Sequence, residues 1–246
     1  MKRLLRKVSA RPGAREHGGL KAHDLVQRIA AATGARKCFL LTTPTTGKRL
    51  LDKLPVSMFE TLISVRYSPE IDVRNGAAGY QGLSDALSCV RQMAGFDVAF
   101  VDPFHSYEES LRAIRESLAC LGDAGWMVLH DCFPPHALTG NDYQSGDWCG
   151  FTYAAFRDAA SSGDRAWFVV DSDYGLGVLG PKNSFPLVDD GIDATLASAW
   201  ASASLEGKRE LFKTSGRQLL RVIEPDKADA AVSALLSKQV LRLDCP

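Results

Sequence analysis

The sequence predicts a doubly wound α/β domain with a mainly parallel sheet and a helical C-terminal extension. Three features point to it. Val98-Ala99-Phe100-Val101 is a short, unbroken apolar run, the pattern of a strand buried on both faces, and it ends in Asp102. Ser106 and Glu109 form a Ser-x-x-Glu capping box, so a helix is expected from Tyr107. Leu111, Ile114, Leu118 and Leu121 would share one face of it, with Gly122 and Gly125 as its stop. A second apolar run, Trp126-Met127-Val128-Leu129, then ends in His130-Asp131. A right-handed crossover makes two such strands parallel. Asp102 and Asp131 are thereby expected at strand carboxyl ends, the edge where open α/β sheets bind ligands.

Composition narrows the function classes. The chain has 246 residues, 46% of them hydrophobic, enough to bury one sizeable core. Lys plus Arg equals Asp plus Glu at 29 each, which gives no basic bias toward nucleic acid. No apolar run approaches the length of a membrane span. The six cysteines have neither CxxC nor zinc-ligand spacing, and several fall inside apolar elements, as expected of reduced thiols in a cytoplasmic protein. Cys132 follows Asp131 and reads as a small pocket-lining residue rather than a nucleophile.

Taken in order, residues 1–19 are Arg- and Lys-rich and broken by Pro12-Gly13, which predicts a flexible basic tail. Leu25, Ile29 and Ala32 give an amphipathic helix stopped by Gly34, and Cys38 to Thr42 reads as the first strand. Thr43-Pro44-Thr45-Thr46-Gly47 follows, then a short helix through Leu54. Gly47-Lys48 is no phosphate loop, because the first glycine is missing and Arg49 stands where Ser or Thr must bind magnesium. Phe59 to Val65 is the second strand, and Asn75-Gly76 a turn before a helix carrying Leu83, Leu87 and Val90. Only about thirty residues separate the second strand from Phe96, so the third β–α unit is shortened or lacks its strand. Residues 136–147 have the polar, turn-rich make-up of a substrate loop or lid. A helix near Phe151 to Ala160 precedes two strands, Trp167 to Val170 and Tyr174 to Leu179. The domain is expected over 20–184, and 185–246 is a helical extension with Trp200 and Leu219-Leu220 among its packing points.

Asp102, His105, His130 and Asp131 form the candidate site. Two carboxylates held together repel, and one is protonated unless a cation lies between them. Two carboxylates with an imidazole suit Mg2+ or another divalent metal, Mn2+ or Zn2+. Such a metal lowers the pKa of a bound hydroxyl. Asp102, His130 and Asp131 are the expected ligands, with His130 alternatively the general base and His105 orienting the substrate. In the structural alternative, Asp102 and Asp131 merely cap the segments that follow them.

One family shares these motifs. Val101-Asp102, His105-x-Tyr107-Glu108, Gly125-x-x-x-Leu129-His130-Asp131-Cys132 and Pro134-Pro135 resemble the small-molecule and sugar O-methyltransferases among the class I S-adenosylmethionine-dependent methyltransferases. Gly146-Asp147-Trp148-Cys149-Gly150, Val169 to Val178, Trp200 and Arg217-Gln218-Leu219-Leu220 extend the resemblance. It implies a Rossmann-like sheet whose last two long strands form an antiparallel hairpin. It also implies metal-binding acids at Asp102 and Asp131, and S-adenosylmethionine bound near Thr43, Thr46, Gly47, Tyr67 and Asp102. The partner implied is a small hydroxylated acceptor, a sugar among the candidates; nucleic acid and membrane are not expected, and homo-oligomerisation is left open. The chain departs from the family where the cofactor lies. Its first turn has only Gly47 where the family has Glu-x-Gly, and Arg66-Tyr67 replaces the acid that accepts from ribose hydroxyls, with Glu70 and Asp72 slightly later. That departure leaves two readings: metal-assisted O-methyl transfer, or a methyltransferase-like binding or scaffold protein that has lost the cofactor.

Overall fold

The computed structural model describes residues 19–42, 44–66, 70–72, 77–79, 83–93, 95–140, 147–184, 188–189, 192–237 and 241–242. The basic segment 1–18, Thr43, Tyr67, the Asn75-Gly76 turn and loop positions 141–146 lie outside them. The chain runs α1 (Ala22–Thr33), β1 (Lys37–Thr42), α2 (Pro44–Leu51), β2 (Thr61–Arg66), β3 (Glu70–Asp72), β4 (Ala77–Gly79), α3 (Leu83–Gln92) and β5 (Phe96–Val101). It continues with α4 (Tyr107–Leu118), β6 (Leu121–Leu129), α5 (Thr152–Ser161), β7 (Arg165–Val170), β8 (Leu176–Lys182) and β9 (Val188–Asp189). The last elements are α6 (Ala194–Ser202), α7 (Leu205–Leu219), β10 (Val222–Ile223), α8 (Ala228–Leu236) and β11 (Leu241–Arg242).

Seven strands make the main sheet in the order β10-β7-β8-β6-β5-β1-β2. The ladders from β2 through β1 and β5 to β6 are parallel. β8 runs antiparallel to both of its neighbours, β6 and β7. The expected hairpin of β7 and β8 is therefore present, and β10 adds a short parallel strand outside it. Among the described residues between β2 and β5 the main sheet gains no strand; β3 and β4 pair with each other instead.

Apolar residues on both faces of the strands explain the unbroken runs. Phe39, Leu41, Val101, Met127 and Leu129 join one core layer, while Cys38, Leu40, Val98, Phe100, Trp126 and Val128 join the other. Helices α4, α5 and α7 contribute to the first layer and α1 and α8 to the second, so both faces are covered. Leu25, Val26 and Ile29 make the buried stripe of α1, and Gly34 ends it at φ +69. Among the described residues no helix is long and apolar enough to cross a membrane.

Several local expectations change. α4 starts at Tyr107 with Ser106 as its N-cap, but the Ser106 side chain makes no capping bond. Ser110 Oγ instead bonds the Phe104 carbonyl at 2.9 Å. The buried stripe of α4 is Ser110, Ala113, Ile114 and Ser117, because α4 packs closely on α5 and small side chains let the helices approach. Gly122 and Gly125 lie inside β6, beside the register shift between Phe96 and Val98, and the helix has already ended at Leu118. The C-terminal helices are tied into the core: Trp200, Phe212, Leu219 and Leu220 join the first layer. On α5, Asp158 accepts from Tyr107 Oη at 2.7 Å and Trp200 Nε1 at 2.7 Å, and also pairs with Lys208.

Candidate functional site

The site begins where β1, β5 and β6 end side by side. The β5–β6 register places Val101 opposite Leu129, and the His130 N–H donates to the Val101 carbonyl at 3.0 Å. The Asp102 N–H donates to the Leu41 carbonyl at 2.8 Å, which sets Asp102 beside Thr42. Asp131 turns at φ +61, a left-handed conformation that Asp adopts more readily than most side chains. Asp102 and Asp131 are nearly inaccessible, at 5% and 4% exposure.

Two imidazoles stand between these carboxylates. His105 Nε2 lies 2.9 Å from Asp131 Oδ2 and 3.6 Å from Asp102 Oδ1. The nitrogen is buried and has no aligned hydrogen bond, so these are charge contacts rather than directed bonds. His130 Nδ1 lies 3.1 Å from Asp131 Oδ1 and 3.7 Å from Asp102 Oδ1, and its Nε2 lies 3.6 Å from Asp173 Oδ2. Asp131 Oδ1 also accepts from the Cys149 thiol at 3.3 Å. The Asp131 carboxylate thus engages two imidazoles and a thiol.

Neighbouring loops set this geometry. Gly150, at φ +55, lets its loop pass directly against His105; a Cβ there would sit 2.0 Å from the His105 carbonyl oxygen. Phe151 N–H binds that same carbonyl at 2.8 Å. Trp148 packs edge-on against the His105 ring at 5.6 Å, and Tyr174 against the His130 ring at 6.3 Å. Left-handed residues cluster here: besides Asp131, Asp173 and Tyr174 have φ +52 and +63. Each costs of order 1–3 kcal/mol and persists only where the surroundings hold it.

Opposite charges shift the titrations. Burial alone would lower the pKa of His105, but Asp131 and Asp102 outweigh it and push it up to about 10. His130 is likewise raised well above its usual value, against its burial, by Asp131, Asp173 and Asp102. Burial opposes ionisation of Asp131, yet His130 and His105 hold it well below the usual carboxylate range. Asp173 is held at about 2 against burial by His130, the Ala22 N–H and Lys21. Burial raises the thiols of Cys132 and Cys149, so neither is a ready nucleophile.

All four predicted polar residues therefore meet. One ligand atom each from Asp102, His105 and Asp131 lies within 4.8 Å of the others, so His105 occupies the third position of the compact ligand set and His130 stands next to it. Two buried carboxylates, with an imidazole nitrogen that lacks an aligned partner, fit a divalent cation. The sequence reading does not reach Asp173, whose signal is a second acid just beyond the β7 strand end, followed by Tyr174-Gly175.

The cofactor side differs from the expectation. β1 ends at Thr42 and α2 begins at Pro44, one residue later, because proline is suited to the first helical position. Thr46 and Gly47 lie in the first turn or so of α2 rather than in a glycine-rich loop before it. Thr42 Oγ1 is buried without a hydrogen-bond partner beside Asp102. Tyr67 lies outside the described residues, and Glu70 and Asp72 belong to the separate β3–β4 pair. Among the described residues of this turn there is no glycine cradle of a cofactor loop.

No known family model and no curated protein matches the chain. Among solved structures it is similar to a Corynebacterium glutamicum protein at 21% identity and TM-score 0.40, over 65% of this chain and 79% of that one. It is also similar to a putative O-methyltransferase from Klebsiella pneumoniae at 12% identity and TM-score 0.42, over 69% of this chain and 83% of that one. A third is TrmN from Thermus thermophilus, at 15% identity and TM-score 0.36, over 65% of this chain and 48% of that one. With its order β2-β1-β5-β6-β8-β7 and its inserted antiparallel strand, the sheet is of the doubly wound, mainly parallel Rossmann-like type.

Proposed function

We propose that this chain is a metal-assisted O-methyltransferase acting on a small hydroxylated acceptor such as a sugar. The observation that carries this is the Asp102–His105–Asp131 set, with both carboxylates buried, at the carboxyl edge of β5 and β6. Those three side chains would hold a divalent cation such as Mg2+, which when bound lowers the pKa of an acceptor hydroxyl. His130, next to Asp102 and Asp131, takes the hydroxyl proton. S-adenosylmethionine, the methyl donor used by the family that the sequence resembles, would supply the methyl group when bound. The four buried free thiols suit a reducing compartment, the cytoplasm.

The missing glycine cradle favours a second reading, a binding or scaffold protein that no longer holds the cofactor. Calorimetric titration with S-adenosylmethionine and with S-adenosylhomocysteine, each with and without Mg2+, separates the two. One missing charged hydrogen bond costs about 1.5–3 kcal/mol, roughly ten- to hundredfold in affinity, so weak saturable binding is expected of the enzyme. No heat at millimolar ligand leaves only the scaffold.

A further inference from the structure

The opposite edge of the main sheet carries a second concave feature. A cavity of about 300 Å3 opens where β6 and β7 begin and β8 ends, beside the last residues of α4 and α5. The nine residues of β6 separate it from the Asp131 corner, roughly 25 Å along the strand. Its volume falls at the lower end of the range of about 300–1,000 Å3 found for small-molecule sites. At about 30 Å3 for each water-sized group it holds about ten heavy atoms. Leu118, Leu121, Ala159 and Leu179 give it apolar walls, and Arg165 and Lys182 are its cations.

Arg165 is the anomaly. It is only 4% exposed and opens β7 beside the register shift between Arg165 and Trp167. Its Nη1 donates to the Gly125 carbonyl of β6 and the Gly180 carbonyl of β8, each at 2.7 Å. The β6–β8 register ends toward this edge at Met127 and Leu179, so Nη1 bridges the two strands just past the end of their ladder. That fastening holds the guanidinium rigidly and occupies one nitrogen. Nη2 is buried without a hydrogen-bond partner, and among the described residues Arg165 has no ion pair. A buried charge is ordinarily paired, because leaving it alone costs its hydration without return. Fastening two strands needs donors and no net charge, so it leaves the charge unexplained. The acids nearby do not answer it. Asp164 lines the cavity but is exposed, and Asp123 lies 2.8 Å from Lys182 with its side chain 85% exposed. Exposed pairs of that kind are weak and exchange readily.

We propose that this cavity is a second ligand site, which takes a small organic carboxylate. The carboxylate pairs with Arg165 and Lys182, and its apolar chain lies against Leu118, Ala159 and Leu179. A guanidinium fixed in place with an unused N–H matches a planar carboxylate, and its orientation is settled before the ligand arrives. The apolar walls favour a carboxylate with a short hydrocarbon chain over a fully hydrated anion such as inorganic phosphate. The site shares no residue with the Asp102–His105–Asp131 set and does not depend on the reaction proposed there.

The test is a titration of the full 15N-labelled chain, without added metal, followed through its backbone amide signals. The probes are hexanoate, which suits the size of the cavity, with hexan-1-ol, hexylammonium and inorganic phosphate as controls. Hexanoate at millimolar concentration should shift the Gly163, Asp164 and Lys182 amides saturably. Hexan-1-ol and phosphate should bind about tenfold more weakly or less, and hexylammonium should leave these signals in place. Arg165→Met keeps the apolar bulk and removes the charge; it should weaken hexanoate about tenfold or more and leave hexan-1-ol within about twofold. If Arg165→Met does not fold, Lys182→Glu at the half-exposed rim replaces it, with the same expectation for hexanoate and hexan-1-ol. Hexan-1-ol binding as tightly as hexanoate, or affinity for hexanoate unchanged in the variant, overturns the carboxylate assignment. Phosphate binding more tightly than hexanoate overturns the ligand class. Shifts confined to the Asp102–Asp131 edge, or no saturable shift, overturn the site.

Discussion

Adding a divalent cation perturbs the site most directly. Without one, the imidazoles balance the carboxylates, and the His105 pKa is raised from 6.5 to about 10. The stabilisation by this imidazolium is complete below about pH 6.5 and is lost as pH rises through about 10. A cation held by Asp102, His105 and Asp131 must displace that proton, so its affinity should rise about tenfold per pH unit below 10. At a hundredfold excess over its Kd, the cation adds about 2.7 kcal/mol of stability. In a chain of this size each kcal/mol moves the melting temperature by about 2–4 °C, so a shift of about 5–11 °C is expected. Scanning calorimetry with Mg2+ and then Mn2+, at pH 7 and pH 8, reads it. The cation concentration for half the shift should fall about tenfold between the two pH values. Asp131→Asn should abolish the shift and keep the fold, since Asn adopts φ +61 as readily as Asp does. No response to either cation at either pH refutes the metal site; a full shift in Asp131→Asn refutes the ligand assignment.

Further outcomes concern the frame around the site. Gly175→Ala would put a Cβ 2.0 Å from the Phe133 backbone nitrogen at φ +89, and should cost about 4 kcal/mol or more in urea denaturation, or prevent soluble expression. Gly150→Ala meets the His105 carbonyl at the same distance. It should destabilise by about 3 kcal/mol or more, and any folded fraction should lose its response to Mg2+. Asp158→Ala removes the shared partner of Tyr107, Trp200 and Lys208, and should cost about 2–4 kcal/mol. Hydrogen exchange should then quicken in α6 and α7 before the sheet, and uniform exchange would contradict the role given to Asp158.

What the sequence revealed, it revealed through residues buried on both sides. β5 and β6 read correctly because every residue from Val98 to Val101 and from Trp126 to Leu129 enters one core layer or the other, which demands an apolar run. The strand ends then followed, and with them Asp102, His105, His130 and Asp131. Features set by tertiary packing did not follow. The two-residue strand β10 is too short to carry periodicity. The small-residue stripe of α4 answers to α5, which lies more than thirty residues away in sequence. That His105 rather than His130 completes the compact ligand set depends on Gly150 passing against His105, a contact between two loops. Asp173 reaches His130 only through a turn whose conformation its sequence disfavours.

That last conflict bears on whether the site still works. Apolar residues of similar size in place of buried charges are often neutral or stabilising, and a scaffold has no need of left-handed Asp131, Asp173 and Tyr174. Here the strain and the charge coincide: all three residues bracket one imidazole, and two of them supply carboxylates to it. The remaining non-glycine residues with positive φ among those described, Asn183 and Arg221, lie elsewhere in the chain and form no such group. Strain that converges on titratable groups, at the sheet edge where such folds bind ligands, is explained by an arrangement that must hold proton donors and acceptors in fixed positions. Stability of the fold does not require it. On the cofactor side no such group is found among the described residues; α2 begins at Pro44, a residue suited to the first helical position. The physical evidence for a functional arrangement is therefore concentrated at the Asp102–Asp131 edge, and the cofactor titration tests the turn after β1, which lacks it.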